Sequence, residues 1–220
     1  MVEPSKVNLP LFSTVTHNLD SLEFNSLTPN NNFYRHVKNI ARLRKTHKII
    51  HLQETHLPLK ENHALQAFFP NCIIFYNNLD VSRAGTITMV ARELEQDFQI
   101  SFHIVEQGYS SYVHLLPNEG GRYREEARYF NVYLYTGEQK WKRQTSQIQR
   151  LKECPVSRYA VWSGDFNFVE AIEDTAHDHM TDHYSPPATF NAAWSALVGT
   201  HNLAEVAQSI HTRYCIGADG

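Results

Sequence analysis

Two hydrophobic rhythms alternate along the chain. Short runs of β-branched and aromatic residues recur between polar stretches that contain Asn, Asp or Gly, which is the signature of strands. Leu11 to Thr16, Ile49 to Leu52, Cys72 to Tyr76, Thr86 to Ala91 and Phe98 to Val105 predict five of them. Ser111 to Leu116, Tyr129 to Tyr135 and Tyr159 to Ser163 predict three more. A second rhythm, near 3.6 residues, runs from Phe33 to Thr46. Phe33, Val37, Ile40, Ala41 and Leu43 form its apolar stripe, beside Arg35, Lys38, Arg42, Arg44 and Lys45. The Asn-rich stretch before it can supply the N-cap. Gln139 to Leu151 reads as a polar, basic helix, and Ala192 to Val198 as a shorter one. The order is that of an α/β chain with mixed strand directions. Polar residues stand where strands end, which is where open sheets collect their sites.

Composition narrows this picture. At 220 residues the chain is one domain with enough length for a buried core. With 42% hydrophobic and 20% charged residues it reads as globular rather than disordered. The formal net charge of −3 excludes a chain that is basic throughout, so any hold on nucleic acid must come from local patches. The three cysteines, Cys72, Cys154 and Cys215, are far apart and odd in number. They offer neither a disulfide framework nor a Cys pair for zinc, and a reducing, intracellular compartment is expected. The start, MVEPSKVNLP, lacks the basic and apolar regions of a secretory signal, and the apolar runs are too short to span a bilayer.

The chemistry gathers at strand ends. Glu54 follows the apolar strand in HKIIHLQETH, and a carboxylate there needs a cation or a hydrogen-bonding shell. Asp165 and Asn167 stand in the same way after AVWSG, where Gly164 permits a sharp turn and alternate spacing aims both side chains to one side. Asn18 ends the first strand similarly. Oxygen-rich groups without cysteine favour a hard cation, Mg²⁺ or Mn²⁺. Singly, each residue also fits a cap or a turn.

Taken in order, LQETHL (Leu52 to Leu57), SRAGTITMV (Ser82 to Val90), FNVY (Phe130 to Tyr133) and SGDFN (Ser163 to Asn167) resemble the endonuclease/exonuclease/phosphatase superfamily. That group contains the abasic-site endonucleases and DNase I, and the form here is closest to the endonuclease domains of long interspersed (non-LTR) retrotransposons. The resemblance covers roughly Leu11 to Tyr214. It implies two mixed β-sheets packed as a sandwich with flanking helices, and divalent-cation-dependent cleavage of a phosphodiester to a 3′-hydroxyl and a 5′-phosphate. In a retrotransposon that 3′-hydroxyl would prime a downstream reverse transcriptase, and the protein would work in the nucleus. By the same resemblance Glu54 is the metal ligand, with Asn18 supporting the metal or the phosphate. Tyr133 contacts the scissile phosphate, Asp165 activates the attacking water, and Asn167 binds the phosphate and steadies Asp165. Thr212, in HTRY, is similar to a threonine that precedes the family's last catalytic strands.

The chain departs from that pattern in three places. Members end with a late Asp and a Ser-Asp-His triplet, neither of which follows HTRYCIGADG. His179 and His183 come too early to replace the triplet's histidine, and Asp219 stands too near the terminus to be the late Asp. The expectation is a single domain over residues 1–220 without its C-terminal strands, or a site completed by a partner. Leu134 and Tyr135 follow NVY where a proline is usual, and Asp174-Thr175 stands where Asp-Arg is common.

Other signals compete for a role. His177, His179 and His183 with Asp174, Asp178 and Asp182 offer zinc-ligand spacing if helical, but a solvated loop is the preferred reading. The basic run from Arg35 to Lys48 reads first as the wet side of a helix. Arg83, Arg122 and Arg124, in loops, are better candidates for DNA contact. Tyr109, Tyr112, Tyr123 and Tyr129 offer a stacking residue or core. A nuclease on DNA is the leading expectation. The alternatives are an RNA 3′-exonuclease or deadenylase, a phosphatase on a small phosphoester, and an inactive nucleic-acid-binding module.

Overall fold

The computed structural model describes residues 11–22, 31–79, 84–168 and 186–204. Among the described residues eight strands and three α-helices follow in the order β1 (Thr14–Asn18), α1 (Asn31–Arg44), β2 (Ile49–Gln53), β3 (Cys72–Asn77), β4 (Thr86–Ala91), β5 (Phe98–Glu106), β6 (Ser110–Pro117), β7 (Ala127–Tyr133), α2 (Lys140–Lys152), β8 (Ala160–Asp165) and α3 (Ala188–His201). They form two four-stranded sheets, β1-β2-β4-β3 and β5-β6-β7-β8. Both sheets are mixed: β1 runs parallel to β2 and β7 to β8, while the remaining pairs are antiparallel.

All eight strands stand where the hydrophobic pattern places them, with shifted ends. The first strand lies later than Leu11 to Thr16 because its ladder is set by β2, from Thr14 opposite Ile49 to Asn18 opposite Gln53. Its predicted start is instead tied down by the Phe12 amide, which donates to the Tyr129 hydroxyl at 2.7 Å. The seventh strand stops at Tyr133, since the Tyr135 backbone turns to the side chains of Gln147 and Gln144 on α2. The last helix is longer than Ala192 to Val198. It starts after Pro187, whose missing N–H costs nothing at a helix start, and it closes on Asn202 in the left-handed conformation. The N-cap proposed for α1 lies outside the described residues.

Each sheet has a helical cover. Phe33, Val37, Ile40 and Leu43 of α1 pack on Ile50, Leu52, Ile87 and Met89 of the first sheet. Ile148 and Leu151 of α2, with Phe190 and Leu197 of α3, pack on Phe130 and Val132 of the second. Burying a side chain of this size contributes about 1.5–3 kcal/mol. Arg35, Lys38 and Arg42 are exposed on α1, so most of its basic run is the helix's wet side, while Arg44 is half-buried against Cys72 and the His47 carbonyl. Among the described residues no helix is long and apolar enough to cross a membrane.

The layer between the sheets is polarised along the strands. At one end Ile49, Val90, Val113, Leu115, Tyr129 and Val161 make an apolar cluster. One step further along the same faces come His51, Gln53, Thr86, Thr88 and Asn131, all buried. Strand periodicity of two requires this continuity of face. A sandwich core that turns polar toward one end must satisfy those groups internally. That end carries the candidate site.

Candidate active site

Four strands deliver their carboxyl ends to one place. Asn18 closes β1, Glu54 follows β2, Tyr133 closes β7 and Asp165 closes β8. Within a sheet the ends are aligned by register: Asn18 lies opposite Gln53, and Tyr133 opposite Asp165. Between sheets they are joined crosswise. The Asn18 amide donates to Asp165 Oδ2 at 3.0 Å, and the Tyr133 hydroxyl donates to Glu54 Oε1 at 3.1 Å. Glu54 and Asp165 therefore stand together at one end of the sandwich, where the two sheets meet.

Beneath this quartet the buried polar layer ties the sheets together. Gln53 donates to Asn131 Oδ1 at 2.6 Å and receives the Thr16 hydroxyl at 2.7 Å. The Asn131 amide reaches the carbonyls of Leu52 and Ile87 and the Thr88 hydroxyl. His51 Nδ1 lies 3.1 Å from that same hydroxyl. Complete burial drives the His51 pKa down to about 3, so the ring is neutral. Gln53, Thr88 and His51 were not singled out by their sequence context. The signal available was a polar residue at an inward position between apolar neighbours, as Asn131 is in FNVY.

The loop bearing Glu54 is held in a conformation few residues adopt. Glu54 has φ 52° and His56 φ 51°, and Asn167, beside Asp165, has φ 52°. Such angles cost on the order of 1 kcal/mol or more outside glycine and collect at functional sites. Hydrogen bonds on both sides impose them. The Ser21 and Leu22 amides donate to the Glu54 and Thr55 carbonyls, and the Thr55 and His56 amides donate to Gly85 and Ala84. Gly85 must be glycine: with φ 97°, a Cβ there would lie 2.8 Å from Asn78 Oδ1 and closer still to Thr55 Oγ1.

Asp165 is oriented from two directions. Oδ2 takes the Asn18 amide, and Oδ1 takes the Asn167 backbone N–H at 3.0 Å. The Asn167 side chain donates to the Leu134 carbonyl at 2.7 Å, so it locks the turn after β8. The Asn18 side-chain oxygen accepts the Asp20 amide, and its NH₂ is what faces Asp165. In this arrangement Asn18 positions a carboxylate rather than offering an oxygen to a cation. The Tyr133 phenol is pushed well above its ordinary pKa, chiefly by burial and then by the charges of Glu54 and Asp165. It stays a neutral donor throughout the physiological range.

The remaining candidates are scattered. Arg122 is not brought to the cluster. It precedes β7, at the opposite end of the sandwich from Tyr133, where it pairs with Asp97 through Nε at 2.9 Å and through a second, shorter bond. This exposed guanidinium lies about one strand length from the cluster, roughly 20 Å at ~3.3 Å per residue. Arg124 bonds the Gly121 carbonyl in the same region. Tyr129 is core, Tyr112 is buried, and Tyr123 packs on Phe12 and Phe98. Tyr109 does reach the site, stacked on Tyr133. Arg83, Thr212 and the histidines and aspartates from Asp174 to His183 lie outside the described residues.

The donor set fits a cation that keeps part of its water. Two carboxylates converge, and among the described residues no group of three His, Cys, Asp or Glu side chains forms a cage. Mg²⁺ is held in this manner, by one or two carboxylates together with substrate phosphates, because it gives up water reluctantly.

Comparison with solved structures decides the architecture. The AP endonuclease LMAP from Leishmania major superposes with a TM-score of 0.62 over 86% of this chain and 66% of its own, at 14% identity. An AP endonuclease from Archaeoglobus fulgidus gives 0.59 over 86% and 70%, at 15% identity. This chain has the DNase I-like fold. A 3′ phosphatase, NExo, from Neisseria, bound to a product DNA hairpin, gives 0.58 over 86% and 71%, at 17% identity. The chain thus spans about two thirds of the length of these structures. No protein-family model and no characterised protein sequence matches it.

Proposed function

We propose that this protein is a divalent-cation-dependent phosphodiesterase that nicks DNA to leave a 3′-hydroxyl. The observation that carries this reading is the crosswise pairing of Asn18 with Asp165 and of Tyr133 with Glu54. Two carboxylates are brought to one place from different sheets, each oriented by a neutral donor from the other sheet. Holding reacting groups in place in this way replaces a costly encounter with a prepared geometry.

Glu54 and Asp165 would hold the cation, Mg²⁺ or Mn²⁺. When bound, it supplies Lewis-acid neutralisation of the phosphoryl oxygens and of the leaving oxygen. Asp165, fixed by Asn18 and by the Asn167 N–H, accepts the proton of the attacking water. Tyr133 holds Glu54 through its hydroxyl and lines the place where the scissile phosphate sits. As the endonuclease part of a retrotransposon polyprotein, the protein would nick chromosomal DNA beside a downstream reverse transcriptase.

The test is supercoiled plasmid incubated with the chain and Mg²⁺ or Mn²⁺. Open circles that a polymerase extends without further processing are expected, and chelator should prevent them. Glu54→Gln and Asp165→Asn should each lower nicking about 10²-fold or more, the scale of a lost acid–base group. Undiminished nicking in both variants would overturn the assignment. Release of mononucleotides or of inorganic phosphate without open circles would move it to an end-acting exonuclease or phosphatase of the same fold. Duplex binding without cleavage would leave a binding module.

A further inference from the structure

Beyond the quartet, one feature of this end of the sandwich has no part in the bond-breaking chemistry. Tyr109 lies parallel to Tyr133, with ring centroids 5.8 Å apart and planes within 7°. Tyr135 continues the row at 6.0 Å from Tyr109, tilted by 52°. The Arg143 guanidinium of α2 sits over the Tyr135 ring at 4.4 Å. Three aromatic rings and a guanidinium thus lead away from Glu54 and Asp165 along one side.

These rings differ from the packed tyrosines of the core. Tyr129 is wholly buried, and its hydroxyl is bonded to the Phe12 amide. Tyr109 and Tyr135 are half-buried, and Arg143 is exposed. Both tyrosines are nevertheless rigidly mounted. The Tyr109 carbonyl accepts the Tyr133 amide at 2.9 Å, and the turn before it is pinned by Gly85 donating to Gly108 and by Gly108 donating to Asn77 Oδ1. Gly85 also holds the Thr55 amide, so Tyr109 and Glu54 share one brace. The Tyr135 amide and carbonyl are both clamped by α2, through Gln147 at 2.9 Å and Gln144 at 2.8 Å. Gly137 has no left-handed φ that would demand glycine, yet a Cβ there would meet Tyr135 Cζ at 2.8 Å. A larger residue there would push the tip of the Tyr135 ring aside.

We propose that Tyr109 and Tyr135, with Arg143, form a stacking surface for an unpaired base of the DNA strand being cut, so that single-stranded or locally unpaired DNA is preferred over intact duplex. The inference rests on the phosphodiesterase reading of the Glu54–Asp165 cluster and deepens it. A nucleobase is the occupant because it is a flat π-system tethered one nucleotide step from a phosphate, and the row of rings starts at the phosphate-cleaving groups. A base in an intact duplex has both faces covered by its neighbours. Only an unpaired one can lie on a tyrosine. The cation over Tyr135 adds attraction to both ring and phosphate.

The experiment uses the full chain without added divalent cation, so that the strand stays whole. Anisotropy of a labelled single-stranded DNA oligonucleotide and of the matching duplex gives affinities, and 2-aminopurine in the single strand reports stacking through quenched fluorescence. The wild type should favour the single strand and quench the probe. Tyr109→Ala and Tyr135→Ala should each weaken single-strand binding about 5- to 100-fold and relieve the quench, on the scale of one stacked base. Tyr109→Phe and Tyr135→Phe, which keep the ring and the packing, should bind within about twofold of wild type. Alanine variants that bind and quench like wild type, or phenylalanine variants that lose binding, would overturn the stacking surface. If Glu54→Gln abolishes nicking while Tyr109→Ala retains full single-strand affinity, this inference fails alone. If the wild type binds no DNA, both readings fail.

Discussion

Replacing Gly164 with alanine puts a methyl carbon against the backbone of the neighbouring strand. Gly164 has φ 152° and sits opposite Val132 in the parallel ladder of β7 and β8. Its Cβ would lie 2.7 Å from the Val132 carbonyl carbon, 2.8 Å from the Val132 nitrogen, and closer still to the oxygen. None of these atoms is the end of a flexible side chain, so the strands must part by roughly 1 Å to reach ordinary contact. Ladder bonds near their 2.9 Å optimum do not survive such a shift, and each buried backbone group left unpaired costs about 1–3 kcal/mol. The strained φ adds about 1–3 kcal/mol for a residue with a Cβ. Two rungs, Val132 with Gly164 and Tyr133 with Asp165, are affected. Gly164→Ala should therefore cost at least about 3 kcal/mol of a total near 5–15 kcal/mol, and lower Tm by about 6–12 °C. Urea unfolding followed by tryptophan fluorescence reads this directly, since Trp162 in β8 stacks on Phe130 with centroids 4.0 Å apart. Nicking should fall further than stability, because Asp165 moves with the ladder. A stability within about 1 kcal/mol of wild type would refute the reasoning, for that is the size of an ordinary point substitution.

Tyr133→Phe removes the hydroxyl that holds Glu54 and should lower the nicking rate about 10- to 100-fold, the scale of one hydrogen bond to a charged group, with Tm nearly unchanged. A plasmid assay beside a melting curve separates the two effects, and an unchanged rate would deny Tyr133 its part. Asn131→Leu keeps the volume but strands the Gln53 amide between the sheets. It should destabilise by about 2–4 kcal/mol in urea, and a loss below about 0.5 kcal/mol would show that the polar layer relaxes freely. His51 gives an acid limb to stability. Folded, it stays neutral down to about pH 3, while unfolded it binds a proton below 6.5, so stability falls as pH drops from 6.5 toward 3. The limb is at most about 1.4 kcal/mol per pH unit. His51→Asn should flatten it between pH 6 and 4 whatever the variant's absolute stability, and parallel slopes would contradict the burial argument.

Strands and helices were legible because their signals are local. The β-branched run Thr86 to Ala91, buried on both faces, reads as a central strand, and the period of 3.6 in Phe33 to Leu43 records the buried face of a helix; both elements stand where these signals place them. Ends were less legible. β1 runs to Asn18 because β2 pairs with it that far, and Leu11 lies outside the strand although its hydrophobicity continues the run. Arg122 shows the same limit from the side of function. The fold sets this loop arginine beside Asp97 at the far end of the sandwich, away from the Glu54–Asp165 cluster, a placement no local pattern contains. Tyr109, between two predicted strands, groups with Tyr112 and Tyr129 in the sequence, because which tyrosine faces a site is decided by packing.

Residue types and their order along the chain were enough to name Asn18, Glu54, Asp165 and Asn167 as strand-end groups, since the end of an apolar run is a property of neighbours in the sequence; Tyr133, inside a predicted strand, was named only through the resemblance carried by FNVY. Their meeting was not. It depends on two sheets closing face to face, on a parallel β1–β2 register that levels Asn18 with Gln53, and on a β7–β8 register that levels Tyr133 with Asp165. Partners 147 and 79 positions apart are joined by packing across the sandwich. Contacts at that separation leave no trace in local periodicity, because the free energy that selects them comes from burying both sheet faces at once.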